Sequence, residues 1–193
     1  IPLAHLHGGE STLGAIDNKF RHALTSIADF HFTSTEQHAG IVRSITGSNQ
    51  HIYNVGALGI DGIKQTRFLS TGEFKVKFNF DISEEYLLLT YHPETVDLRN
   101  SEFADELIKA LKSSHYGILC TLPNADTEGN IVRSRLLEFE EEEPQKIKCF
   151  ENLGQTGYLT AMKNCSMVIG NSSSGIIEAA SFNKPVVNIG NRQ

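Results

Sequence analysis

The chain has 193 residues, 39% hydrophobic and 21% charged, with 17 basic side chains against 23 acidic ones. That make-up is of an ordinary soluble globular protein, and the net charge of −6 argues against wholesale nucleic-acid binding. No apolar run approaches the length of a membrane span, and Cys120, Cys149 and Cys165 show no metal spacing, so a cytoplasmic protein with reduced thiols is expected and no membrane partner.

Strand-like apolar runs and helical patterns alternate along the chain. Strands are expected at 1–6, 31–33, 51–55, 86–91, 116–121, 146–150, 167–170 and 185–189. Helices are expected at 18–28, 36–45, 101–113, 155–163 and 175–181. Within the third, Phe103, Leu107, Ile108 and Leu111 recur at the spacing of one buried face. Several strands are apolar throughout, as in a parallel sheet covered on both faces. The alternation predicts an α/β architecture of doubly wound sheets. The segment 56–83 breaks the rhythm with Gly56, Gly59, Gly62 and Gly72 and no long periodic face. The domain reading is therefore the end of a first α/β domain at 1–58, a crossing at 59–83, and a second domain at 84–193. The glutamate-rich stretch 138–144 reads as a solvated helix end. Because residue 1 reads as the middle of a strand and residue 193 follows one, a piece of a longer protein is expected.

Three motifs carry chemistry. The loop HLHGGESTLGAID after the first strand gathers His5, His7, Glu10 and Asp17, and His5 and His7 would share a strand face. Asp17 and Arg21 would share a helix face, where a surface ion pair is the plain alternative. His5, His7 and Glu10 match no known metal-ligand spacing, so no metal is expected. Glu10 and Asp17 read as acid/base groups at the mouth of a cleft between the domains. In LLLTYHPE, Pro93 holds His92 extended at a strand end, where it could donate to a phosphate, protonate a leaving group, or be a loop histidine. In VIGNSSSGIIEAA, residues Asn171 to Ser174 form a polar turn between a strand and a helix. Such a turn offers an N-cap, free N–H groups and hydroxyls to an anion. Gly170 permits a sharp bend, and Gly175 permits close approach of a ligand or a neighbouring strand. Glu178 could accept from sugar hydroxyls or complement the helix start.

Together, HLHGGESTLGAIDNKFRHALT, YHPET, LPNAD and GNSSSGIIEAASFNKPVVNIGNRQ resemble the UDP-N-acetylglucosamine 2-epimerases, in order and along essentially the whole chain. The likeness is to the hydrolysing branch, which releases N-acetylmannosamine, a sialic-acid precursor, and UDP. The resemblance implies two Rossmann-like domains of the B-type glycosyltransferase kind, the first incomplete here, and a homo-oligomer with a UDP-sugar substrate. It implies that Ser172, Ser173, Ser174 and Gly175 hold the diphosphate, His92 contacts the phosphate, and Glu178 the ribose. It places Asn124 and the backbone near Leu153 by the uridine, and Arg192 near the sugar phosphate. His7, Glu10, Asp17, Arg21 and the adjacent His22 fall in the region around the hexose. An acid stands at the His7 position in the non-hydrolysing and animal enzymes, which leaves acid/base work to Glu10 and Asp17. No cofactor is expected, and no GxGxxG is present. The alternatives are a non-hydrolysing epimerase, a hydrolysing epimerase of a diacetamido-trideoxy UDP-sugar, or an inactive UDP-binding fragment.

Overall fold

The computed structural model of the chain describes residues 1–11, 17–93, 100–123 and 127–190. The chain divides into two compact units, Ile1–Gln65 and Thr66–Gln193. The glycine-rich segment is thus split between them. Its two helices, α3 (Leu58–Gln65) and α4 (Thr71–Phe78), were not expected from the sequence. In α4 the signal is local: Ser70 and Glu73 form a reciprocal capping box, and Asn79 ends the helix in the left-handed conformation. Only Phe74 is buried, so no periodic stripe announces it.

The first unit holds β1 (Ala4–Leu6), β2 (Phe30–Thr33) and β3 (Ile52–Asn54), paired in parallel in that order. Helices α1 (Asp17–Ile27) and α2 (Glu36–Thr46) make the crossovers. Thr35 caps α2 by accepting from the His38 N–H, and Gly47 closes it at φ 66°.

The second unit is a five-stranded parallel sheet of β4 (Tyr86–Thr90), β5 (Gly117–Thr121), β6 (Ile147–Phe150), β7 (Met167–Gly170) and β8 (Val186–Asn188). The spatial order β6-β5-β4-β7-β8 is that of a Rossmann-like sheet. All five residues of β4 are buried, as its central place requires. Leu87 and Leu89 face a core closed by α5 (Asn100–Ser113) and α6 (Thr127–Glu142), through Leu107, Leu111, Val132, Leu136 and Phe139. Tyr86 and Leu88 face the opposite core, closed by α4 and α7 (Gly154–Asn164). Each such side chain contributes about 1.5–3 kcal/mol by leaving water. The Tyr86 hydroxyl donates to the Ala161 carbonyl at 2.6 Å and fixes α7 on the sheet. Helix α6 also went unexpected beyond its end, although Val132, Leu136 and Phe139 keep a helical spacing. Its charged tail hides that stripe.

The strand order has one reversal. From β4 the chain moves to one side through β5 and β6, then returns to lay β7 on the other side. The carboxyl ends of β4 and β7 flank this switch point, where open α/β sheets form a crevice.

Candidate active-site groups

In the first unit, β1 ends at Leu6 and the chain turns at once, with His7 at φ 59° and Gly9 at φ 81°. A Cβ on Gly9 would lie 2.3 Å from the His38 carbonyl oxygen, so only glycine lets this turn rest on the start of α2. The turn ends strand alternation, and His5 and His7 therefore part. His5 is buried and bonds the Thr25 hydroxyl at 3.2 Å, while half-buried His7 meets Glu10, Nδ1 to Oε1, at 2.7 Å. The shared face expected of the two histidines is not formed. Among the described residues no three His, Cys, Asp or Glu side chains gather as a metal set.

Glu10 Oε1 also accepts from the Ser34 hydroxyl at 2.7 Å, and Ser34 Oγ meets His38 Nδ1 at 2.8 Å. Ser34 has one hydrogen and gives it to Glu10, so His38 donates through Nδ1. Burial pushes the Glu10 carboxyl up, but the bonds from His7 and Ser34 and the nearby imidazoles outweigh it and hold it below its ordinary value. Arg21 donates to the Glu10 carbonyl and to Asn18 Oδ1, each at 3.0 Å, rather than to Asp17. Asp17 and His22 are exposed on α1.

In the second unit, the turns after β4 and β7 are tied together by one side chain. Asn171 is fully buried; its Oδ1 accepts from the His92 N–H and its Nδ2 donates to the His92 carbonyl, both at 2.7 Å. Asn171 is thus a clamp between loops and not the helix cap its neighbours suggested. The serine turn leads into α8 (Ser174–Ile177), a single turn followed by a 3-10 turn at Ala179–Phe182. The expected longer helix is absent here, and with it most of the macrodipole argument for an anion. The N–H of Gly175 is committed to the Ser172 carbonyl at 3.1 Å, which leaves hydroxyls as the adaptable donors of the turn. A Cβ on Gly175 would meet Val186 at 3.2 Å, so this glycine serves packing on β8.

The donors open onto a cavity of about 310 Å³ lined by Thr90, Thr121, Leu153, Tyr158, Ser172 and Ser174 among others. Leu153 has its side chain in the core, so its backbone is the part available to the cavity. Ser173 is exposed and Glu178 half-buried. Asn124 and Arg192 lie outside the described residues. Sequence reasoning passed over Ser34, His38, Thr90 and Tyr158, whose only signal was their place at or after strand ends and on neighbouring helices.

The whole chain, residues 1–193, matches the family model described as UDP-N-acetylglucosamine 2-epimerase. It is 36% identical to the GDP/UDP-N,N'-diacetylbacillosamine 2-epimerase (hydrolyzing) of Campylobacter jejuni, covering all of this chain and 51% of that protein. It is 36% identical to the UDP-N,N'-diacetylbacillosamine 2-epimerase (hydrolyzing) of Legionella pneumophila, with the same coverage. The chain thus spans about half the length of these relatives. Among solved structures it is similar to the UDP-GlcNAc 2-epimerase from Neisseria meningitidis bound to UDP-GlcNAc. The TM-score is 0.76 at 15% identity, over 97% of this chain and 53% of that one. That likeness is one of fold, two Rossmann-like units of the B-type glycosyltransferase kind.

Proposed function

The chain belongs to the UDP-N-acetylglucosamine 2-epimerase family, and on that premise we propose that its protein is a hydrolysing 2-epimerase of a UDP-activated 2-acetamido sugar. The observation that carries the proposal is the presence on one chain of two devices. One is a carboxylate held anionic by His7 and Ser34. The other is a hydroxyl-lined cavity at the carboxyl ends of β4 and β7. The two relatives that are 36% identical favour the hydrolysing kind, and their names favour N,N'-diacetylbacillosamine as the sugar. The family description favours the second reading, N-acetylglucosamine giving N-acetylmannosamine.

In either case the C1–O bond breaks with its electron pair leaving on UDP, while a base takes the proton from C2 to form a glycal. Water then adds, hydroxyl to C1 and a proton to the opposite face of C2, and the free sugar is epimerised. Because the C2 proton is scarcely acidic, departure of UDP must run ahead of its removal. Glu10 and Asp17 are assigned the two proton transfers, with Arg21 holding the Glu10 loop and His7 and His22 beside the hexose. Ser172, Ser173 and His92 are assigned to the diphosphate, where negative charge grows as the bond breaks, and Ser174 and Gly175, whose own donors are engaged within the turn, shape the loop that presents them. Glu178 is assigned to the ribose, the Leu153 backbone and Asn124 to the uracil, and Arg192 to the sugar phosphate.

The test is proton NMR of the full-length protein with each UDP-sugar in deuterated water. Free 2-epimerised sugar and UDP, with deuterium at C2, are expected, and the better substrate decides between the two sugars. A UDP-linked epimer moves the protein to the non-hydrolysing kind. No turnover with either sugar sinks the proposal.

A further inference from the structure

Four hydroxyls and a phenol line up beside the cavity of the second unit. Thr121 Oγ1 donates to the Leu89 carbonyl at 3.4 Å and lies 2.6 Å from Thr90 Oγ1. On the other side, Ser174 Oγ donates to Ser172 Oγ at 3.0 Å. A hydroxyl has one hydrogen, so at the 2.6 Å contact between Tyr158 and Ser174 the tyrosine is the donor. Tyr158 also lies 3.4 Å from Thr90 Oγ1, a longer contact that leaves its donation to Ser174 unchanged.

The result is a chain with a direction: Tyr158 gives to Ser174, and Ser174 gives to Ser172. Ser172 Oγ receives a second, longer bond from the Ser174 N–H at 3.4 Å. Its own hydrogen meets no acceptor among the described residues, and Ser172 lines the cavity. Hydrogen bonds pointing one way polarise one another, so the last donor is stronger than an isolated serine. A phenol heads the chain, and it is a better donor than an alcohol or water. Such a donor is best matched by an acceptor carrying negative charge, with which its hydrogen bond is strongest.

We propose that Tyr158 is a positioning residue for the nucleotide's diphosphate, holding Ser174 so that the Ser172 hydroxyl is a committed donor to a phosphate oxygen. This rests on the reading of the cavity as a UDP site. It does not rest on the single-turn helix α8, and it assigns to Tyr158 a role through Ser172 rather than a contact with substrate.

The test uses the full-length protein, with UDP binding followed by calorimetry and uridine binding by ligand-observed NMR. Tyr158→Phe keeps the ring and removes the oxygen. It is expected to weaken UDP about tenfold, the loss of one charge-assisted hydrogen bond, and to leave uridine unchanged. Ser174→Ala breaks the same chain from within and is expected to show the same contrast. In a Ser172→Ala background, Tyr158→Phe should add no more than about twofold, since the donor it positions is gone. Equal weakening of UDP and uridine would show a loss of pocket shape and overturn the proposal. So would unchanged UDP affinity, or full additivity with Ser172→Ala. If the unsubstituted protein bound no UDP, the cavity reading would fall and the inference with it.

Discussion

Replacing Asn171 by alanine isolates the clamp at the switch point. The side chain is fully buried and makes two 2.7 Å bonds, one to each backbone polar group of His92. Alanine removes both and strands a peptide N–H and a carbonyl 79 residues away in sequence. A net hydrogen bond contributes about 1 kcal/mol, and a stranded buried group costs about 1–3 kcal/mol. His92 is only half-buried, so water relieves part of this. The expected loss is about 2–4 kcal/mol, read from urea unfolding of the full-length protein by circular dichroism. Asn171→Asp sharpens the test. It keeps the acceptor for the N–H but sets a carboxylate oxygen against the His92 carbonyl. Near neutral pH it should be destabilised, and it should recover as pH falls and the carboxyl gains a proton that can donate to that carbonyl. An alanine variant within about 0.5 kcal/mol of the parent, or an aspartate variant unaffected at neutral pH, would refute the reasoning.

Gly170→Ala should destabilise by about 2–4 kcal/mol in the same unfolding assay, combining overpacking and backbone strain. Its Cβ would sit 1.9 Å from the Thr90 carbonyl oxygen at φ 136°, and a near-neutral result would contradict that geometry. Glu10→Gln should lower turnover about 10²–10⁴-fold while UDP still binds, as measured by kinetics and calorimetry. Because the folded Glu10 carboxyl lies below its ordinary value, its contribution to stability is present above about pH 4.3. It is lost as pH falls through the lowered value. Urea midpoints between pH 3 and 7 should therefore fall less steeply on the acid side in Glu10→Gln than in the parent. Ser34→Ala removes a bond to the Glu10 carboxylate and should move the acid limb of the kcat/KM profile to higher pH. An unmoved limb would show that Ser34 does not tune that group.

The eight strands among the described residues were legible because most are short apolar runs bounded by turn residues; burial on both faces makes the central β4 most conspicuous, whereas the edge strands β3 and β8 are largely exposed. The helices that escaped are those whose burial falls short of a stripe, as in α4, or is masked by charge, as in α6. The loop glycines and the serine turn were equally plain, since tight backbone leaves a compositional mark. What the sequence could not show is which polar atom answers which. Tyr158 reaches Ser174 sixteen positions away, Ser34 reaches Glu10 across twenty-four, and Asn171 ignores its own helix for His92. Hydrogen-bond partners across a sheet follow from strand order, and no local periodicity encodes that. The dipole expected at the serine turn is lost because α8 is one turn long and passes into a 3-10 turn whose Ala179 and Phe182 pack in the core, a change of helix type that the local composition does not mark.

The reversal in strand order also governs when the crevice can come into being. β4 and β5 can pair early, since 31 residues separate partners such as Leu87 and Ile118. β7 must close a loop of about 80 residues to reach Leu87, and closure entropy grows with that length. Until it does, His92 has no Asn171 to hold it and the serines have no Thr90 or Tyr158 beside them. The cavity is therefore a late product of folding, and a nascent chain that has made β4 to β6 carries three of the five strands and no crevice.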